Sequence, residues 1–242
     1  MKIGLIQASG IGDIIIALPI AKYFVDRGHE VLWPIVEDFV PSFRPAAPYV
    51  EFIPIKRERG YLLQVPFQCL KDRACDRIVQ PLYSYLKCRN AVTNQGLAQF
   101  LKFDEYKYAI AGVPFREKWN LTIVRDRERE ERLFHDVVRS GDFVLAHLRS
   151  SEGSAKIDLA PFAKGRQVIE ITPRTNNVFD WLSVIERASL RILIDSCFAN
   201  LTEQLEISGP KVFLRRSLMQ FTPVLRGDWT FLTPASDQDR ER

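Results

Sequence analysis

Lys2-Ile3-Gly4-Leu5-Ile6-Gln7 is a short apolar run. It breaks at Ala8-Ser9-Gly10-Ile11-Gly12-Asp13, and Ile14 to Asp26 then carries Ile14, Leu18, Ala21 and Val25 at helical spacing. Gly28 stops that helix, and Glu30 to Val36 is again apolar and branched. Apolar run, glycine turn, periodic helix and second apolar run together predict a βαβ unit. A parallel α/β sheet therefore begins within the first forty residues.

The alternation continues outward. Tyr49 to Ile55 and Asp76 to Leu82 read as strands, and Tyr61 to Arg73 as a helix weakened by Pro66. Gly96 to Phe103 reads as helical, and Tyr106 to Pro114 as a strand or irregular segment. Arg125 to Arg132 is a block of alternating charge, the pattern of a solvated helix face. A second series follows: strands at Phe143 to Leu148, Gln167 to Thr172, Leu190 to Ile194 and Lys211 to Leu214, with helices at Asn177 to Ala188 and Phe198 to Leu205. Two such series predict two Rossmann-like domains, residues 1–135 and 136–242, facing each other across a cleft.

Composition narrows the class. The 242 residues are 46% hydrophobic and 26% charged, with 34 basic and 30 acidic side chains and a net charge of +4. These values exclude a disordered chain or a disulfide scaffold, and permit an anionic partner without requiring one. Cys69, Cys75, Cys88 and Cys197 show no C-x-x-C spacing and read as free thiols of a reducing compartment. The N-terminal apolar run is too short for a signal peptide, and Ile14 to Ile20 too short for a membrane span. The expectation is a cytoplasmic protein with no integral membrane segment.

Four stretches could carry chemistry. Gly10-Ile11-Gly12-Asp13 closes the first strand and opens a helix, where free N–H groups favour an anion. Ile15 stands where a dinucleotide fingerprint needs its third glycine, so no such cofactor is expected. Asp13 is either a helix cap or a carboxylate able to act as general base. His147 and Arg149, two apart on an extended chain, would face one side, with Arg149 suited to a diphosphate and Lys156 a second cation. Asp195-Ser196 lead from a buried strand into a helix, a cap or an anion site, with Asn200 in its first turns. Thr172-Pro173-Arg174 lies at another strand end on the same rim, where a nucleoside could rest. No His or Cys cluster has metal-ligand spacing, and Asp237-Gln238-Asp239 sits in a polar tail.

The N-terminal strand with its Gly12-Asp13 turn and Leu18-Pro19 helix, and Ile194-Asp195-Ser196 followed by Asn200-Leu201, resemble the heptosyltransferase-like GT-B glycosyltransferases. The second stretch is similar to that family's D-S-G-x-x-H-L signature, with Cys197 for its glycine and Asn200 for its histidine. His147-x-Arg149 resembles the H-x-R of fucosyltransferases that use GDP-sugars, and the short chain resembles small phage-encoded members. The resemblance implies a GT-B fold and inverting, metal-independent transfer from a nucleotide-diphosphate sugar, with no cofactor. Asp13 would be the base, with Gly10 and Gly12 in the acceptor-side loop. His147, Arg149, Lys156, Thr172, Arg174, Asp195, Ser196 and Asn200 would line the donor site. The acceptor would be a glycan, a lipid-linked sugar met by Lys56, Arg57 and Arg59, or a hydroxylated DNA base met by Arg73, Arg77, Lys87 and Arg89. A non-catalytic nucleotide-binding shell and another α/β nucleotide-sugar enzyme are the alternatives.

Overall fold

A computed structural model describes residues 1–81, 100–139, 141–150, 153–215 and 222–233. The chain divides into two compact units, Met1–Arg125 and Asp126–Arg242. Each has its own parallel sheet.

In the first unit, β1 (Lys2–Leu5), β2 (Glu30–Val36), β3 (Glu51–Ile55) and β4 (Arg77–Val79) are ordered β3-β2-β1-β4. All pairs are parallel, with Gly4 beside Leu32 on one edge and Ile78 on the other. Helix α1 (Ile11–Val25) is buried from Ile14 to Ala21, which explains its continuous apolar run. Pro19 inside it removes one backbone donor. In the same turn, the buried Tyr108 hydroxyl donates to the Ile16 carbonyl at 2.9 Å. Gly4 is required by packing: a Cβ there would fall 2.7 Å from Leu70 of helix α3 (Gln64–Asp72). Without it, Leu70 reaches a core cluster with Ile6, Leu32, Ile53 and Leu63. A short helix α2 (Val40–Ala46) occupies the stretch before β3.

Tyr106 to Pro114 is not a strand. Phe103–Ala111 is a helix ended by Gly112 at φ 70°, the left-handed conformation that favours glycine at a helix stop. One buried member of this helix is a lysine, Lys107, which interrupts the apolar face by which a helix is read. Half of the expected helix at Gly96 to Phe103, residues 96–99, lies outside the described residues, as do Lys87, Cys88, Arg89 and Asp237 to Asp239.

In the second unit, β5 (Phe143–His147), β8 (Gln167–Glu170), β9 (Leu190–Ile194), β10 (Lys211–Leu214) and β11 (Trp229–Leu232) are ordered β11-β10-β9-β5-β8, all parallel. A small antiparallel pair, β6 (Arg149–Ser150) and β7 (Gly153–Ser154), follows β5. The charged segment forms helix Arg127–Val137. It packs on Val178–Trp181 and helix Leu182–Arg187. Arg129 grips Asp180 through Nε at 2.9 Å and Nη2 at 2.7 Å. These contacts place the whole helix in the second unit.

Candidate functional site

Open parallel sheets bind ligands beyond the carboxyl ends of their strands, where the strand order reverses. The first unit reverses between β1 and β4, the second between β5 and β9. Both reversals carry the polar residues singled out in the sequence.

At the first, the chain leaves β1 through Gln7 and turns at Gly10, φ 83°. Asp13 stands in the first turn of α1, and no side chain caps that helix. Its carboxylate is instead ion-paired with Lys107 Nζ at 2.8 Å and keeps 38% exposure. A Cβ on Gly10 would meet Asp13 Oδ2 at 2.6 Å, so glycine serves both the turn and the carboxylate. Gly12 lies within the helix. Lys107 and Gln7, both fully buried, complete the cluster. Nothing in the sequence spacing announced them, since Gln7 and Lys107 meet across 100 residues. The available signal was a lysine in the middle of an apolar helical face.

At the second, His147 ends β5 and Ser196 follows β9. Their side chains join, Nδ1 to Oγ at 3.0 Å. The imidazole packs edge-on against Phe198 at 4.7 Å between centroids. Burial pushes its pKa down to about 4, so the ring is neutral at pH 7. So weak a base is poorly matched to activating Ser196 as a nucleophile. Ser196 occupies the N-cap position of helix Cys197–Gln204 without capping it through its side chain. Burial pushes the Cys197 thiol up to about 12, which favours its protonated, less reactive form at neutral pH. Asn200 is 3% exposed; its Nδ2 donates to the Ser196 carbonyl at 3.1 Å, while Oδ1 has no hydrogen-bond partner. Asp195, directly after β9, is buried as well.

The other expected donor residues are spread along this rim. Arg149 is exposed and belongs to the small β6–β7 pair, so it does not continue β5 as one extended strand with His147. Lys156 is exposed just after that pair. Thr172 is exposed two residues beyond β8. Arg174 turns to Asp136 on the charged helix at 3.2 Å. Among the described residues, no three His, Cys, Asp or Glu side chains group as a metal site, and no helix is long and apolar enough to cross a membrane.

The fold is similar to that of solved glycosyltransferase structures. The glycosyl transferase family 9 protein from Veillonella parvula DSM 2008 matches 99% of this chain and 89% of its own, with a TM-score of 0.66 and 11% identity. Its fold is one that glycosyltransferases use. The E. coli ADP-heptose lps heptosyltransferase II matches with a TM-score of 0.57 and 13% identity, over 96% of this chain and 90% of that one. The iron-containing dodecameric glycosyltransferase TibC from enterotoxigenic E. coli H10407 gives 0.55 and 15%, over 88% of this chain. This chain spans only 57% of the length of TibC. At these identities the likeness is one of fold. No protein-family model matches the chain, and no curated protein matches it in sequence.

Proposed function

We propose that this protein is a glycosyltransferase of the GT-B type, moving a sugar from a nucleotide-diphosphate donor to a hydroxyl acceptor. The observation that carries this reading is the polar equipment at both strand-order reversals, Asp13 in one unit and the His147–Ser196 pair in the other. In this reading the second unit takes the donor. Its diphosphate lies at the N-terminus of helix Cys197–Gln204, where the positive end of the helix dipole and Arg149 stabilise the leaving charge. The neutral His147 holds Ser196 in place; it does not supply a charge. Asn200 Oδ1, a buried acceptor, suits a hydroxyl or amino donor of the nucleoside. Lys156, Thr172 and Asp195 belong to the same rim, with Arg174 reaching the nucleotide only on release from Asp136. The first unit presents Asp13, which takes the acceptor proton as the sugar is transferred with inversion, without a metal.

ADP-heptose is the first donor to try, because it is bound in a solved TibC structure with a TM-score of 0.57 to this chain. The acceptor is a glycan or lipid-linked sugar. A DNA base is not proposed, because Arg73 is bound to Glu51 and Arg77 donates to the Ala111 carbonyl.

Thermal shift against ADP, GDP and UDP tests the donor site, since a ligand of the folded state raises the melting temperature by mass action. One of the three should raise it; no shift with any of them would overturn the donor assignment. Asp13→Asn tests the base. Sugar transfer should fall by roughly 10²–10⁴ with nucleotide affinity retained, and a wild-type transfer rate would remove Asp13 from catalysis.

A further inference from the structure

Lys107 has no solvent exposure, yet it carries a charged group at the end of the sheet. Three oxygens surround its Nζ: Gln7 Oε1 at 2.7 Å, Asp13 Oδ1 at 2.8 Å and the Pro81 carbonyl at 3.1 Å. The Phe103 ring lies 5.8 Å away. An ammonium has three hydrogens, and here three acceptors come from three separate parts of the unit. Gln7 follows β1, Asp13 opens α1 and Pro81 follows β4. A lysine is seldom buried without such compensation. Two of its partners are neutral. Asp13 is the only carboxylate among these partners, and it is also the partner that reaches solvent.

We infer that Lys107 is a positioning residue for Asp13: its buried ammonium fixes the carboxylate by Oδ1 and leaves Oδ2 beside Gly10. A free aspartate in a first helical turn rotates about χ1 and tends to bond the backbone N–H groups of its own turn. Here the ammonium competes for it. A Cβ at Gly10 would fall 2.6 Å from Oδ2, so glycine there leaves that oxygen room. The assignment of a role in transfer rests on the reading of Asp13 as the base. The electrostatic part does not, and can be measured without any substrate.

Asp13→Cys replaces the carboxylate by a thiol whose ionisation reports the field at that position. The pH dependence of iodoacetamide labelling, read by mass spectrometry of the peptide containing position 13, gives its midpoint. The midpoint should fall about one pH unit below the ordinary thiol value of about 8.5, because an adjacent cation favours the thiolate. It should return upward in Asp13→Cys combined with Lys107→Met. If that pair does not fold, Lys107→Gln, which keeps a donor for Gln7 and Pro81, takes its place. A midpoint at or above about 8.5 in Asp13→Cys alone overturns the inference.

Turnover adds the second readout. With ADP-heptose as donor, Lys107→Gln should lower kcat at least tenfold with KM for the donor unmoved, and unchanged kcat would overturn the positioning role. Should Asp13→Asn transfer sugar normally, the base reading fails while the labelling result still decides whether Lys107 governs the carboxylate.

Discussion

His147 Nδ1 lies 3.0 Å from Ser196 Oγ, so the end of β5 and the residue opening helix Cys197–Gln204 are tied together where the strand order reverses. The bond fixes a serine that would otherwise be free to cap its own helix. It also sets a pH limit. Burial lowers His147 from 6.5 to about 4, so the unfolded chain takes up a proton first as pH falls. Stability from this residue is complete above about pH 6.5 and is lost as pH drops toward 4, about 3 kcal/mol over the whole window. Melting temperature should therefore decline between pH 6.5 and 4.5, and His147→Gln should flatten that decline. An identical decline in the variant would show that other groups cause it.

Arg149→Ala should weaken binding of the nucleoside diphosphate that proves to bind, by about 1.5–3 kcal/mol, the usual worth of a hydrogen bond to a charged group. Arg149→Lys should recover only part, because the planar fork is lost. Calorimetry checks both. Unaltered affinity in the two variants would place the diphosphate elsewhere.

Gly10→Ala should destabilise the first unit by about 1–3 kcal/mol. The substitution forces an L-residue to φ 83° and drives its Cβ to 2.6 Å from Asp13 Oδ2. Gly12 sits inside α1, so Gly12→Ala should be neutral or mildly stabilising. Urea melts of the pair give the comparison, and equal stabilities would contradict the steric argument.

Lys118 and Asp104, both wholly buried, pair at 2.6 Å. Lys118→Met leaves a buried carboxylate without its cation and should cost about 3–5 kcal/mol. Adding Asp104→Leu removes the stranded charge and should restore much of the loss. A double variant no better than the single would mean that packing, not charge, dominates there.

The βαβ opening was legible because strand, glycine turn and buried helix each leave a local pattern, and the second unit's strands were legible as short branched runs. The helix Phe103–Ala111 was not, because its buried face includes Lys107, which reads as polar until its partners are known. The small strands β6 and β7 escaped notice, since two-residue strands have too few alternations to register, and so did strand β11. In the candidate site, Asp13, His147 and Ser196 were visible as strand-end residues. The pairing of His147 with Ser196 was not, nor that of Asp13 with Lys107, because each depends on which strands become neighbours. Arg174, expected at the donor rim, is also paired with Asp136 at 3.2 Å, a contact that no local pattern announces because the two lie on separate elements.

The 100-residue separation of Gln7 and Lys107 has a consequence for biosynthesis. During translation the first strand emerges early, but its polar terminus stays unsatisfied until the helix Phe103–Ala111 has left the ribosome. At about 5–20 residues per second, that wait is roughly 5–20 seconds. Through it the nascent chain carries the apolar α1 and an incomplete parallel sheet, and β4, on the edge of β1, joins only after residue 79. Lys107 is thus the late-arriving clasp of the first unit, and a pause or truncation before it would leave the apolar α1 and an incomplete sheet open to chaperones.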